Sequence, residues 1–217
     1  MRGEDGQEFA SECSCKYRQK SRRDSMRFFA SIPDAYRDSR LYDFDLDVYQ
    51  SERSRETVKN AFDLVKCWYS DFAEMRKKGM GLYICSRAKG SGKTRLAVSI
   101  ANEFLKDSSV SVKFAATLQI FEEFKKSWGK DAEVRESDLS LELMNVDVLI
   151  LDDFGTEVSG NAWMKERLYS IINARYVENK IMIFTSNHYL SELQELGFDE
   201  RILDRIREKT YRIVFPE

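Results

Sequence analysis

The 217 residues are 42% hydrophobic and 33% charged with a formal net charge of −2, a balance that predicts a soluble globular protein with one sizeable core, a small appendage and no second full domain. No apolar run approaches the roughly 18 to 20 residues that span a bilayer, which disfavours membrane roles. The near-neutral charge exerts no global pull toward nucleic acid, so any DNA contact has to come from a local basic surface.

The first residues, Met1-Arg-Gly-Glu-Asp-Gly-Gln-Glu, are polar where a signal peptide needs an apolar stretch, and a cytoplasmic location is expected. Residues 1 to about 27 lack apolar periodicity and end in a basic run (Lys16, Arg18, Lys20, Arg22, Arg23, Arg27), the pattern of a flexible arm or solvated tail. Within it Cys13 and Cys15 form a C-x-C, which is either half of a zinc site, since zinc takes four ligands, or two exposed thiols. Cys67 and Cys85 lie in apolar patterns and read as small hydrophobes. The acidic-aromatic stretch from Leu41 to Tyr49 is either a short strand or a segment lying across the core.

From Ser54 the pattern changes. Val58, Phe62, Val65, Tyr69, Phe72 and Met75 recur at helical spacing and predict one helix that Gly79 terminates. Apolar runs then alternate with helical patterns. Strands are predicted at Leu82 to Cys85, Val110 to Phe114, Val146 to Leu151, Ile181 to Thr185 and Tyr211 to Phe215. Helices are predicted at Lys93 to Lys106, Leu118 to Trp128, Ser137 to Met144, Ala162 to Glu178 and Asp199 to Glu208. Such alternation predicts an α/β fold with a five-stranded parallel sheet flanked by helices.

Gly90-Ser91-Gly92-Lys93-Thr94 falls between the first of these strands and a helix. A triphosphate presents concentrated negative charge, and backbone N–H groups at a helix N-terminus bind it when glycines permit the loop. Lys93 is then placed to reach the β- and γ-phosphates of ATP or the β-phosphate of ADP, and the Thr94 hydroxyl to ligate Mg2+. Lys89, Ser91 and Arg95 complete the expected nucleotide-binding set. Arg87 stands where the spacing expects the first glycine. Either the loop starts in a geometry arginine can adopt, or nucleotide affinity is weakened, or the guanidinium adds charge near the phosphates.

A second apolar strand ends in Asp152-Asp153, which assigns Asp152 to the metal and Asp153 to water activation. The strand Ile181-Met-Ile-Phe-Thr-Ser-Asn187 ends in polar residues at the same sheet edge, and Asn187 is expected to orient the water or contact the γ-phosphate.

In this order the motifs G-L-Y-I-C, G-S-G-K-T, L-I-L-D-D-F-G-T-E and I-F-T-S-N resemble those of the AAA+ ATPases, within them the DnaC/DnaI-type helicase loaders, with the IstB transposition ATPases as relatives. The likeness covers roughly residues 54–215 and extends to Ser31-Ile-Pro-Asp-Ala-Tyr-Arg, similar to the segment before the core. It implies a P-loop AAA+ core at 51–217 without a C-terminal helical lid, and an arm at 1–50 that is a remnant of a helicase-binding domain. Phe198 to Ile206 resembles the segment whose arginine reaches the ATP of a neighbouring subunit, which makes Arg205, with Arg201 as second choice, the arginine acting in trans.

The resemblance further implies ATP hydrolysis dependent on assembly, a replicative helicase and single-stranded DNA as partners, and self-association into a ring or spiral. Lys125, Lys126 and Lys130 near Trp128 offer a basic, aromatic DNA surface or a solvated helix end. An IstB-like transposition regulator is the alternative, and Arg87 motivates a third reading, a nucleotide-gated scaffold with negligible turnover.

Overall fold

Strands buried on both faces need apolar residues at every position, and Leu82-Tyr83-Ile84-Cys85, Val148-Leu-Ile-Leu151 and Ile181-Met-Ile-Phe184 supply them. The computed structural model describes residues 30–106, 109–129, 134–156 and 162–217. These runs become β1 (Gly81–Cys85), β3 (Val148–Asp152) and β4 (Ile181–Ser186). With β2 (Val112–Ala116) and β5 (Thr210–Val214) they form one parallel sheet in the order β2-β3-β4-β1-β5. The edge strand β5 exposes Tyr211, Arg212 and Val214, as a strand with a free edge does.

Successive strand residues point to opposite faces, so the sheet separates two cores. Leu82 and Ile84 face the first, with Val58, Phe62 and Val65 of helix α1 (Glu52–Ser70) and Leu96, Ile100 and Phe104 of α3 (Lys93–Phe104). Tyr83 and Cys85 face the second, beneath α4 (Thr117–Lys126), α5 (Glu136–Asn145), α6 (Ala162–Val177), α7 (Leu190–Glu195) and α8 (Glu200–Lys209).

The single helix expected up to Gly79 is instead two, α1 and α2 (Phe72–Lys78), because Asp71 leaves helical geometry at φ −96°, ψ 19°. Phe72 and Met75 keep the apolar spacing across the break, so periodicity could not reveal it. Gly79 does end the element, in the left-handed conformation at φ 66°. β2 and β3 both start two residues later than expected. Val110 and Val146 are buried ahead of the ladder, and Asp147 instead accepts from the amide and hydroxyl of Ser111 at 2.9 and 2.8 Å. Helix α7 and a 3-10 turn at Asp34–Tyr36 were not anticipated.

The acidic-aromatic stretch is the cross-core segment rather than a strand. Leu41 is fully buried, the Phe44 ring lies 4.1 Å from that of Phe62, and Asn102 of α3 donates to the carbonyls of Tyr36 and Ser39. This explains why α3 is buried nearly all round: the sheet covers one side, while α1 and residues 30–50 cover the other. Cys13, Cys15 and Lys130 lie outside the described residues.

Candidate functional site

The strand order places the ends of β1, β4 and β3 side by side, so the loop after β1 faces the acids after β3 across the end of β4. A cleft of about 1060 Å3 opens there. Lys89, Gly90, Ser91, Gly92, Lys93, Thr94 and Arg95 line it from the P-loop, and Asp153 and Asn187 line it from the acid side. Asp152 lies just beneath, 6% exposed.

Gly90 and Gly92 take φ of 72° and 100°, which side-chain-bearing residues rarely adopt. At Gly92 space is also short: an added Cβ would stand 2.8 Å from the Tyr49 hydroxyl. That hydroxyl donates to the Ser91 carbonyl at 2.7 Å, and the Arg95 guanidinium stacks 5.2 Å from the centre of the Phe44 ring. Tyr36, Phe44, Val48 and Tyr49 thus wall the cleft from residues remote in sequence.

Lys93, nearly buried, points back into its own loop and donates to Ser86 O, Ala88 O and Ser91 Oγ at 3.2, 2.8 and 3.2 Å. Burial pulls its ammonium pKa down, and the charges of Asp153, Cys85 and Asp152 oppose the shift. The Thr94 hydroxyl meets both Asp152 oxygens, at 3.0 and 3.3 Å. Burial is the main cause that raises the Asp152 pKa and the Asp153 charge adds to it, while the hydroxyls of Thr185 and Thr94 and the charge of Lys93 pull it down. Oxygen donors held together in this way fit Mg2+, a hard cation that takes few protein ligands beside phosphate.

Asp153 adopts a left-handed φ of 53°, a conformation aspartate tolerates better than most residues. The turn brings its carboxylate within 3.5 Å of Asn187 Nδ2, at the outer limit of a hydrogen bond.

Arg87 does not reach the phosphate cradle. Its Nε and Nη2 donate to Glu192 Oε1 of α7 at 2.8 and 2.5 Å, and its guanidinium stacks on Tyr189 at 5.1 Å. Among the described residues only Ser31, Asp153 and Asn179 combine a side chain with positive φ, so position 87 makes no demand for glycine. The loop therefore starts in a geometry arginine can adopt.

Arg205 is not part of its own chain's cleft. On α8 it donates to Asn173 Oδ1 at 2.9 Å and to the Arg201 carbonyl at 2.7 Å, stacked near Tyr169 and Tyr176. Arg201 is instead paired with the Asp199 carboxylate at 2.6 Å. Lys125 pairs with Glu122, and Trp128 donates to Glu136 while packing edge-on against Trp163.

Sequence reasoning missed Thr185 and the wall formed by Tyr36, Phe44 and Tyr49. Thr185 carried a signal, because with Ser186 it puts two hydroxyls inside an otherwise apolar strand. The wall carried none that is local.

Known proteins agree with this geometry. Residues 76–214 match the family described as IstB-like ATP binding protein. The Phage-like element PBSX protein XkdC of Bacillus subtilis (strain 168) is 26% identical over 209 residues, 94% of this chain and 73% of that protein. The Replicative helicase loader DnaC of Escherichia coli (strain K12) is 28% identical over 125 residues, 58% of this chain. The chain covers only about half, 49%, of that DnaC's length.

Among solved structures, the DnaC helicase loader superposes with a TM-score of 0.70 at 22% identity, over 85% of this chain and 100% of that one, a likeness of fold. DnaI superposes at 0.67 with 28% identity, over 85% and 94%. This chain is a member of the IstB-like ATP-binding family, with the P-loop AAA+ fold seen in DnaC and DnaI.

Proposed function

We propose that this chain binds ATP with Mg2+ at the P-loop, hydrolyses ATP when copies assemble, and thereby serves to load a replicative helicase onto single-stranded DNA in the cytoplasm. The observation that carries the reading is the Thr94–Asp152 pair at 3.0 Å, two metal-type oxygens set beside a glycine loop and its lysine. Backbone N–H groups of Gly90 to Thr94 would cradle the phosphates, and Lys93 would exchange its loop carbonyls for phosphate oxygens. Bound magnesium would neutralise charge on the β- and γ-phosphates. Asp153 and Asn187, which both line the cleft, would orient the attacking water.

A single chain supplies no arginine at that end of the cleft from α8, which fits a site completed by a second copy. Arg201 already faces a carboxylate, whereas the hydrogen-bond partners of Arg205 are neutral, so Arg205 is the better trans-acting group. Arg205→Ala should leave ATP affinity within about twofold and lower turnover of the assembled protein roughly 1,000-fold, the low end for an arginine finger. Undiminished turnover in a single-cycle assay would remove the residue from the mechanism.

The helicase partner is supported by the DnaC relatives, while the IstB-like family match keeps a second reading, a transposition regulator acting on duplex DNA. A pull-down with the replicative helicase of the same source separates them. Capture is expected with the full chain and should fail without residues 1–29. Cutting at residue 50 is less informative, since it also strips Leu41, Phe44 and Tyr49 from the core and cleft. A full chain that captures no helicase would defeat the loader reading.

A further inference from the structure

Thr185 lies near the end of β4, fully buried, and its single hydroxyl makes two bonds whose directions their partners dictate. A carboxylate only accepts, so Thr185 Oγ1 donates to Asp152 Oδ1, 2.5 Å away. A backbone amide only donates, so the same oxygen accepts from Asp153 N at 3.0 Å. The Thr185 carbonyl takes the following amide, Phe154 N, at 2.8 Å. The neighbouring Ser186 hydroxyl donates to the Phe154 carbonyl at 2.6 Å. Two residues of β4 therefore stitch down the whole turn in which Asp153 holds its left-handed conformation.

The bonds on Asp152 are unequal. Thr185 touches Oδ1 alone and at the shortest distance, whereas Thr94 spans both oxygens at 3.0 and 3.3 Å from the P-loop side. Thr185 and the nearer Thr94 contact both fall on Oδ1, which leaves Oδ2 with only the longer 3.3 Å contact from Thr94. The Asp152 carbonyl is held separately by the Thr117 hydroxyl at 2.9 Å, so the backbone at this position keeps an anchor of its own. What Thr185 adds is the orientation of the carboxylate.

We propose that Thr185 is the positioning residue of the acid pair: its hydroxyl sets the rotamer of Asp152 so that Oδ2 is presented to the magnesium shell, and through the Asp153 amide it locks the water-side acid to the same reference point. This rests on reading the cleft as a Mg2+–ATP site. A residue that orients a ligand in this way commonly contributes about 10- to 100-fold to metal affinity without touching the metal.

The test compares the full wild-type chain with Thr185→Val, which keeps the shape and removes the hydroxyl, and Thr185→Ser, which keeps the hydroxyl and removes the methyl. ATP binding is titrated in Mg2+ and again in EDTA, with thermal melting of each nucleotide-free protein as the folding control. Wild type should bind more tightly in Mg2+. Thr185→Val should keep its EDTA affinity within about twofold and lose roughly tenfold or more of the Mg2+-dependent gain. Thr185→Ser should restore the gain even where its melting temperature is lower.

A Thr185→Val chain that keeps the full gain overturns the proposal while leaving the Mg2+–ATP reading intact, and so does a Thr185→Ser chain that fails equally. A wild-type chain with no Mg2+-dependent gain overturns both. Should valine prevent folding, Thr185→Ala against Thr185→Ser makes the same comparison.

Discussion

Lys93→Ala is expected to lower ATP affinity about 100-fold, the upper end for a charged hydrogen bond lost to phosphate, near 3 kcal/mol. The ammonium is already carried to the cradle by the first turn of α3 and held there by Ser86 O, Ala88 O and Ser91 Oγ. Its place among carbonyls is compatible with a cation that trades those weak acceptors for phosphate oxygens. Burial adds to the effect, since an ammonium shielded from water gains more from a phosphate than a hydrated one does. Isothermal titration calorimetry measures the loss, and circular dichroism checks that α3 survives. Binding that persists in Lys93→Ala would refute the P-loop assignment, whatever the partner proves to be.

The second large effect concerns stability and is remote from the cleft. Arg175 of α6 is fully buried, and its guanidinium donates to the carbonyls of Leu143, Met144, Val146, Asp147 and Ile181. These close the C-terminus of α5, where helix carbonyls lose their intrahelical partners, and join it to the starts of β3 and β4. Burial pulls the Arg175 pKa down to about 9, opposed by the Asp147 charge, so the group stays protonated at neutral pH.

Arg175→Met fills the volume but leaves the Leu143, Val146 and Ile181 carbonyls orphaned in the interior. At about 1 to 3 kcal/mol for each, partly relieved by relaxation, a loss of roughly 3 to 5 kcal/mol is expected. For a chain of this size that lowers the melting temperature by roughly 6 to 20 °C. Urea unfolding provides the number, and a loss below about 1 kcal/mol would show that the carbonyls find other partners.

The fold was legible to the extent that its signals are local. Of the five strands, β1, β3 and β4 were readable because a strand buried on both faces has to be apolar throughout, and among the described residues none was missed. Their boundaries slipped where a buried residue precedes the ladder, as Val110 and Val146 do, since apolarity reports burial and not hydrogen bonding. The break at Asp71 escaped because packing continues across it. Helix α7 has only six residues, fewer than two turns, too short for a periodic pattern to form.

The same distinction divides the site. Gly90, Gly92, Lys93 and Thr94 form one contiguous piece, as a cradle of consecutive backbone amides would require, and Asp152-Asp153 are adjacent in the chain. The sequence alone therefore determined the P-loop, the acid pair, the parallel sheet and the AAA+ likeness.

Only the tertiary structure decided who stands beside them. β4 lies between β3 and β1 although it comes after both in the chain, and that order alone brings Thr185 to Asp152. The direction of Arg87 was decided by Glu192 and Tyr189, 105 and 102 positions away, and the wall over Gly92 by Phe44 and Tyr49. Contacts of this kind are set by how layers stack and strands are ordered, and no pattern among neighbouring residues encodes them.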